Sequence, residues 1–215
     1  MIFMRISILC FLGVLCSVVV HGQQIKSNMP EHELNIGFTC NYARMLEENF
    51  WGGGMEILYY YNHNLASGLS FDYTNKYISN KFGYVIGKPF LSFTSWGWAN
   101  EICIYRTGRA RINMEIINGV SIAELSDYDE TTPYTYKGTT YNRPKEVAAN
   151  YYYTIEPGLD IAWRFFTDCI YMNLKAKYLG MSGSGQFGST ADFSNCNLAL
   201  GLFYTGYMHK NNKRK

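Results

Sequence analysis

Between Asn150 and Met181 the chain alternates apolar and polar residues through two runs joined at Thr167-Asp168. In the first run Tyr151, Tyr153, Ile155, Leu159, Ile161, Trp163 and Phe165 share one parity, and Thr154, Glu156, Gly158, Asp160, Ala162 and Arg164 share the other. The second run sets Ile170, Met172, Leu174, Ala176 and Tyr178 against Asn173, Lys175 and Lys177. Successive side chains of a strand point to opposite faces, so each run has one apolar face and one polar, charged face. Both exceed the ~5 to 6 residues of an ordinary strand and match the ~9 to 11 of a tilted strand crossing a bilayer. The pattern predicts a transmembrane β-hairpin.

The same alternation recurs along the chain. Leu34, Ile36, Phe38, Cys40 and Tyr42 mark a first strand, and a polar, glycine-rich connection from Leu46 to Gly53 follows. Met55, Ile57, Tyr59 and Tyr61 mark a second strand, ending at the turn Asn62-His63-Asn64; Leu69, Phe71 and Tyr73 mark a third. Asn75 to Trp96 lacks a clear period and reads as a long loop, with Phe90 to Trp98 able to prolong the next strand beyond the membrane. Trp98 to Thr107 is the weakest strand, because Asn100 and Arg106 fall in register with Ile102 and Ile104. After a turn at Gly108-Arg109, Ile112, Met114, Ile116, Val120 and Ile122 form a fifth outer face, with Asn118 the one polar intruder. Ser126 to Ala149 reads as the longest connection and as a mobile one. Past the hairpin and a Gly/Ser-rich loop from Ser182 to Asn195, Leu198, Leu200, Leu202 and Tyr204 finish an eighth strand. The expected fold is all-β, an up-and-down antiparallel transmembrane barrel of eight strands, with ten as the alternative count. Short connections near residues 63, 108 and 167 alternate with longer ones near 48, 85, 138 and 188, as short periplasmic turns alternate with long external loops.

Composition agrees with a barrel girdled by aromatics: charged residues are 17%, aromatics 17%, and there are 19 Tyr among 215 residues. The formal charge of +2 is concentrated at the ends. Setting aside Arg5, Lys210, Lys213, Arg214 and Lys215 turns the balance of 19 basic and 17 acidic residues mildly acidic, with no basic stripe for a nucleic acid. Met1 to Arg5 followed by the apolar Ile6 to Val20 reads as a secretory signal peptide cut before Gln23. The expected organisation is therefore a signal peptide at 1–22, a barrel at 23–209 and a basic periplasmic tail at 210–215, which could touch anionic phospholipid or a periplasmic protein partner.

The segments Glu101 to Leu125 (EICIYRTGRARINMEIINGVSIAEL), 155 to 165 (IEPGLDIAWRF), 174 to 181 (LKAKYLGM) and 197 to 204 (NLALGLFY) resemble the small eight-stranded outer-membrane β-barrel proteins of Gram-negative bacteria, the porin-family or outer-membrane β-barrel group. The likeness spans nearly the whole chain after the signal segment. It implies an integral outer-membrane location after export, in contact with outer-membrane lipid. Such barrels end on an aromatic residue after the last strand, whereas here Tyr207 is followed by MHKNNKRK.

No residue pattern announces catalysis, a cofactor or a metal. Cys40, Cys103, Cys169 and Cys196 lack CxxC spacing and fall on different segments, which favours separate small half-buried thiols, with one disulfide as the alternative. His32, His63 and His209 fall in the N-terminal tail, a periplasmic turn and the C-terminal tail, away from the external rim where a barrel hydrolase of the His-Ser-Asp type would work. The glycines at 52–54 and 183–185 lack the helix and Lys of a phosphate loop. The expected function is a structural or surface-interaction role through the external loops, with an extracellular or periplasmic protein partner unidentified. The alternatives are a narrow porin-like channel and a secreted, soluble, lipocalin-like ligand-binding barrel. The inward parities gather Glu56, Asp72, Glu101, Glu115, Glu156 and Asp160 with Arg111, Arg164, Lys175 and Lys177. An eight-stranded bore has room only for side chains, so these charges are expected to pair and plug it, with acids from alongside neutralising Arg164 and Lys175.

Overall fold

The structure, a computed structural model, describes residues 32–207 apart from 166 and 168. The signal segment, His209 and the basic tail lie outside the described residues. Eight antiparallel strands close into a barrel in sequence order: β1 (Glu33–Met45), β2 (Glu48–Tyr60), β3 (Leu65–Tyr77), β4 (Pro89–Arg106), β5 (Ala110–Tyr136), β6 (Thr139–Arg164), β7 (Ile170–Ser182) and β8 (Asn195–Tyr207). Among the described residues one short helix, α1 (Thr190–Phe193), sits in the last loop, capped by Ser189 and Asp192. Glu33 pairs with Tyr207, so both ends of the barrel sequence lie at one rim, with the turns around His63, Gly108 and Thr167.

The alternating parities take the predicted faces. Ile36, Phe38, Leu69, Ile102, Ile116, Leu159, Ile161, Leu174, Leu200 and Leu202 are exposed on the outside, while Asn35, Glu56, Glu101, Glu115, Asp160, Lys175 and Lys177 are buried in the bore. Aromatic residues edge the apolar belt at both rims: Tyr59, Tyr61, Tyr105, Trp163 and Tyr204 near the turns, Tyr42, Trp51, Tyr73, Tyr151 and Tyr178 toward the other end. Asn100 and Asn118, polar residues on the outer face of the belt, are held locally. Ser67 Oγ donates to Asn100 Oδ1 at 2.8 Å, and Tyr153 Oη donates to Asn118 Oδ1 at 3.4 Å.

Four sequence expectations change. The connection from Leu46 to Gly53 is instead a two-residue turn, Leu46-Glu47, with Met45 paired to Glu48; the glycine run belongs to β2. Both turn residues have positive φ, 51° and 61°, the twist a tight hairpin requires even without Gly. The long loop from Asn75 shrinks to the residues between Tyr77 and Pro89, because β4 does extend outward to Pro89. Arg106 points into the bore, since a bulge between Cys103 and Tyr105 shifts the register and reverses the parity beyond it. The segment from Ser126 to Ala149 is a paired β-ribbon closed by Lys137-Gly138, both at positive φ.

Candidate functional site

Above the belt, at the end opposite the turns, the polarity of the wall inverts. Outward positions become polar, as at Arg44, Asn49, Asn75, Ser92 and Glu124, and inward positions become apolar: Met45, Phe50, Leu91, Phe93, Ala123, Leu125 and Leu179 are all buried. Into this mouth fold the two longer loops. Phe82 packs at a tilt against Phe187 and Phe193, which also meets Tyr152, and all join one apolar cluster. Asn150, buried in the wall, accepts from Gln186 N–H at 2.5 Å and donates to the Phe187 carbonyl, fixing the last loop over the bore. Residues 78–88 are fixed from the other side by Asp127, whose carboxylate accepts from the N–H groups of Gly87 (2.9 Å) and Lys88 (3.1 Å). Those donors hold the Asp127 carboxyl below its usual range.

Beneath the lid the charges pair across the bore. Lys175 of β7 reaches Glu56 of β2, Glu115 of β5 at 3.1 Å and Glu101 of β4 at 3.7 Å. Lys177 bridges Asp72 of β3 at 2.8 Å and Glu156 of β6 at 3.5 Å. The acids in ion-pair contact with Lys175 thus lie across the bore on β2, β4 and β5, while Asp160 stands beside it on the neighbouring strand β6. The oxygens of Glu56, Glu101 and Glu115 lie within 4.8 Å of one another, a spacing that could hold a cation, and the Lys175 ammonium occupies that role. Asn113 donates to Glu101 Oε2 (3.2 Å) and Asp160 Oδ2 (3.3 Å), Asn173 donates to Asp160 (2.9 Å), Asn41 donates to Asp72, and the Tyr60 hydroxyl donates to Glu101.

Toward the turns the Arg111 guanidinium lies between the rings of Tyr60 and Tyr171, 5.0 and 4.9 Å from their centres. Glu33 receives Arg106 at 2.6 Å and Arg111 at 3.7 Å. Asn35 turns its amide oxygen to Arg111 Nη2 (2.8 Å) and its NH2 to Thr205 Oγ1 (2.7 Å). Phe203 fills the remaining width so tightly that a Cβ at Gly37 would come 2.3 Å from its ring. Neither Glu33 nor Arg106 belongs to the inward set that parity predicts: Glu33 stands one residue ahead of the first apolar alternation, and Arg106 lies past the bulge.

The cysteines do not meet. All four are free: Cys103 is buried, Cys169 half-buried, and Cys40 and Cys196 are exposed on the outer face, contrary to uniformly half-buried thiols. His32 and His63 lie at the turn rim, where the Tyr59 hydroxyl sits 3.1 Å from His32 Nδ1.

The most prominent exposed feature is the ribbon formed by the far ends of β5 and β6. Its base is pinned where Tyr128 packs on Tyr77 and Phe90, with Lys88 Nζ 4.5 Å from the centre of the Tyr77 ring. Beyond it, Tyr134 stacks on Tyr141 across the strands, and Lys137 lies over Tyr136, which is 59% exposed. Thr131 to Pro144 carries Lys137 and Arg143 and no carboxylate.

An apolar outer belt edged by aromatics, around a bore packed with paired charges, suits a bilayer and excludes the soluble ligand-binding barrel, whose polarity runs the other way. The fold is that of the small eight-stranded outer-membrane β-barrels, and the apolar belt makes the chain an integral membrane protein. No family model and no curated protein matches the sequence. Among solved structures the chain is similar to Ail, the attachment invasion locus protein of Yersinia pestis, in complex with the heparin analogue sucrose octasulfate, at 12% identity over 83% of this chain and 99% of that one, with a TM-score of 0.51. It is also similar to the outer membrane protein OprG of Pseudomonas aeruginosa, at 8% identity over 86% of this chain and 100% of that one, also with a TM-score of 0.51.

Proposed function

We propose that this is a surface-contact protein of the outer membrane, which presents the β5–β6 ribbon to the outside on a barrel closed to ions. The observation that carries the reading is the ribbon itself: a pinned, twisted pair of strands standing clear of the rim, with exposed Tyr134, Tyr136 and Tyr141 and only positive charge on its distal half. Tyrosine offers large, rigid contact area with a polar tip, which suits recognition of polar partners. The interior supports closure, because the narrow bore is filled at three levels by the apolar mouth, the Lys175 and Lys177 clusters, and the Arg111 sandwich.

Two measurements test it. Purified protein in a planar bilayer is expected to pass no steady current; reproducible open-channel steps would put the porin-like channel first. For contact, the full chain and a version with Thr131 to Pro144 replaced by Asn-Gly are reconstituted in liposomes and exposed to immobilised sulfated sugar, the ligand class held by Ail. The native chain is expected to bind and the shortened one to fold but not bind. Equal binding by both would remove the ribbon from the function.

A further inference from the structure

The outer surface of β2–β5 breaks the smooth apolar wall. A groove of about 450 Å³ lies there, walled by Met55, Ile57, Phe71, Trp96, Trp98 and Val120. Part of its floor is backbone, where Gly97 faces Gly119. A Cβ on Gly119 would come 2.2 Å from the Trp96 carbonyl oxygen, so β4 and β5 approach here as only glycine allows. Beside the groove stand two carboxamides of the apolar belt, Asn100 and Asn118. Trp98 pairs with Asn118 and Ile116 with Asn100, which makes the two asparagines diagonal neighbours. Each has its oxygen engaged, by Ser67 and by Tyr153, yet among the described residues neither NH2 group donates to an acceptor.

Hydrocarbon cannot satisfy such donors, and polar groups at membrane depth persist where a protein partner or water meets them. We propose that this face is the interface of a homodimer within the membrane, with a second copy of the chain as the occupant. A two-fold interface must be self-complementary. This patch carries a ridge, Trp96 and Trp98, beside a groove, and its asparagines each combine a donor with an acceptor, so a two-fold axis near Asn100 and Asn118 lets each NH2 meet an amide oxygen of the other copy. Between segments already in lipid there is no hydrophobic drive, so packing and these hydrogen bonds decide association. An acyl chain would fill the groove but leave both NH2 groups bare.

The test is sedimentation equilibrium of the full-length protein in density-matched detergent micelles, with native mass spectrometry alongside. The native chain is expected to dimerise. Asn100→Leu with Asn118→Leu puts apolar groups on a lipid-facing surface, so the variant folds, as its heat-shifted gel mobility would report, while its dimer dissociation constant rises about tenfold. Val120→Trp, which fills the groove, is expected to weaken the dimer as well. A monomeric native chain, a monomer retaining one acyl lipid per barrel, or a double asparagine variant that dimerises like the native chain would each overturn the proposal. None of these results bears on the ribbon.

Discussion

Lys175 shows how one residue can depend on the whole cross-section. Its ammonium has Glu56, Glu115 and Glu101 around it, from three strands other than its neighbours, and the Phe203 ring 5.3 Å away. A buried ion pair adds little over a well-packed apolar core, but removing one partner strands the other charges without water. Lys175→Met therefore leaves three neighbouring carboxylates uncompensated and is expected to cost about 3 to 5 kcal/mol, read as a lower urea midpoint for unfolding in lipid vesicles. A compensating Lys175→Met, Glu56→Gln pair should recover part of that loss.

Among the elements, the loop from Ile78 to Lys88 lacks regular structure and depends on Asp127 for its register. The Asp127 carboxyl is held below its usual value by the Gly87 and Lys88 amides. A group whose folded value is depressed contributes stability above its ordinary pKa, about 3.9, and loses it as pH falls through the lower folded value. Hydrogen exchange at Gly87 and Lys88, corrected for intrinsic rates, is thus expected to stay protected down to about pH 4 and to rise only below it; Asp127→Ala should expose both amides already at neutral pH. Protection unchanged in that variant would mean the apolar mouth alone holds the loop. The elements also show what the sequence made legible. The β6–β7 hairpin was plain because every outward residue from Tyr151 to Trp163 obeys the period. The first turn was hidden because Leu46-Glu47 lacks the Asn-Gly signature and the glycines after it look like loop. The ribbon was hidden by Pro133 and Pro144, which a two-stranded ribbon tolerates along its open edges. Arg106 lies off the face that its parity predicts because a bulge has no signature in the alternation. Of the candidate site, the charges of the middle bore were readable from parity, but their partners depended on which walls face each other.

For the whole molecule, the inversion of wall polarity sets the height of the bilayer on the barrel. Leu159→Arg puts a charge into the outer belt and is expected to cost about 2 to 4 kcal/mol in vesicle unfolding. Ser92→Arg, on the outward parity above the belt and paired across from Glu124, should cost almost nothing. Equal penalties would mean that the belt has been drawn at the wrong level.

The apolar mouth carries a further consequence, for the direction of assembly. Phe50, Phe187 and Phe193 find their shared core only after β2, β8 and the last loop have reached the far side of the membrane. With that end outward, as proposed, burial of those rings is a gain realised only after crossing. A strand pair that slips back must first expose them to water again. The lid acts as a ratchet tooth, making the closed state harder to leave once its rings are buried.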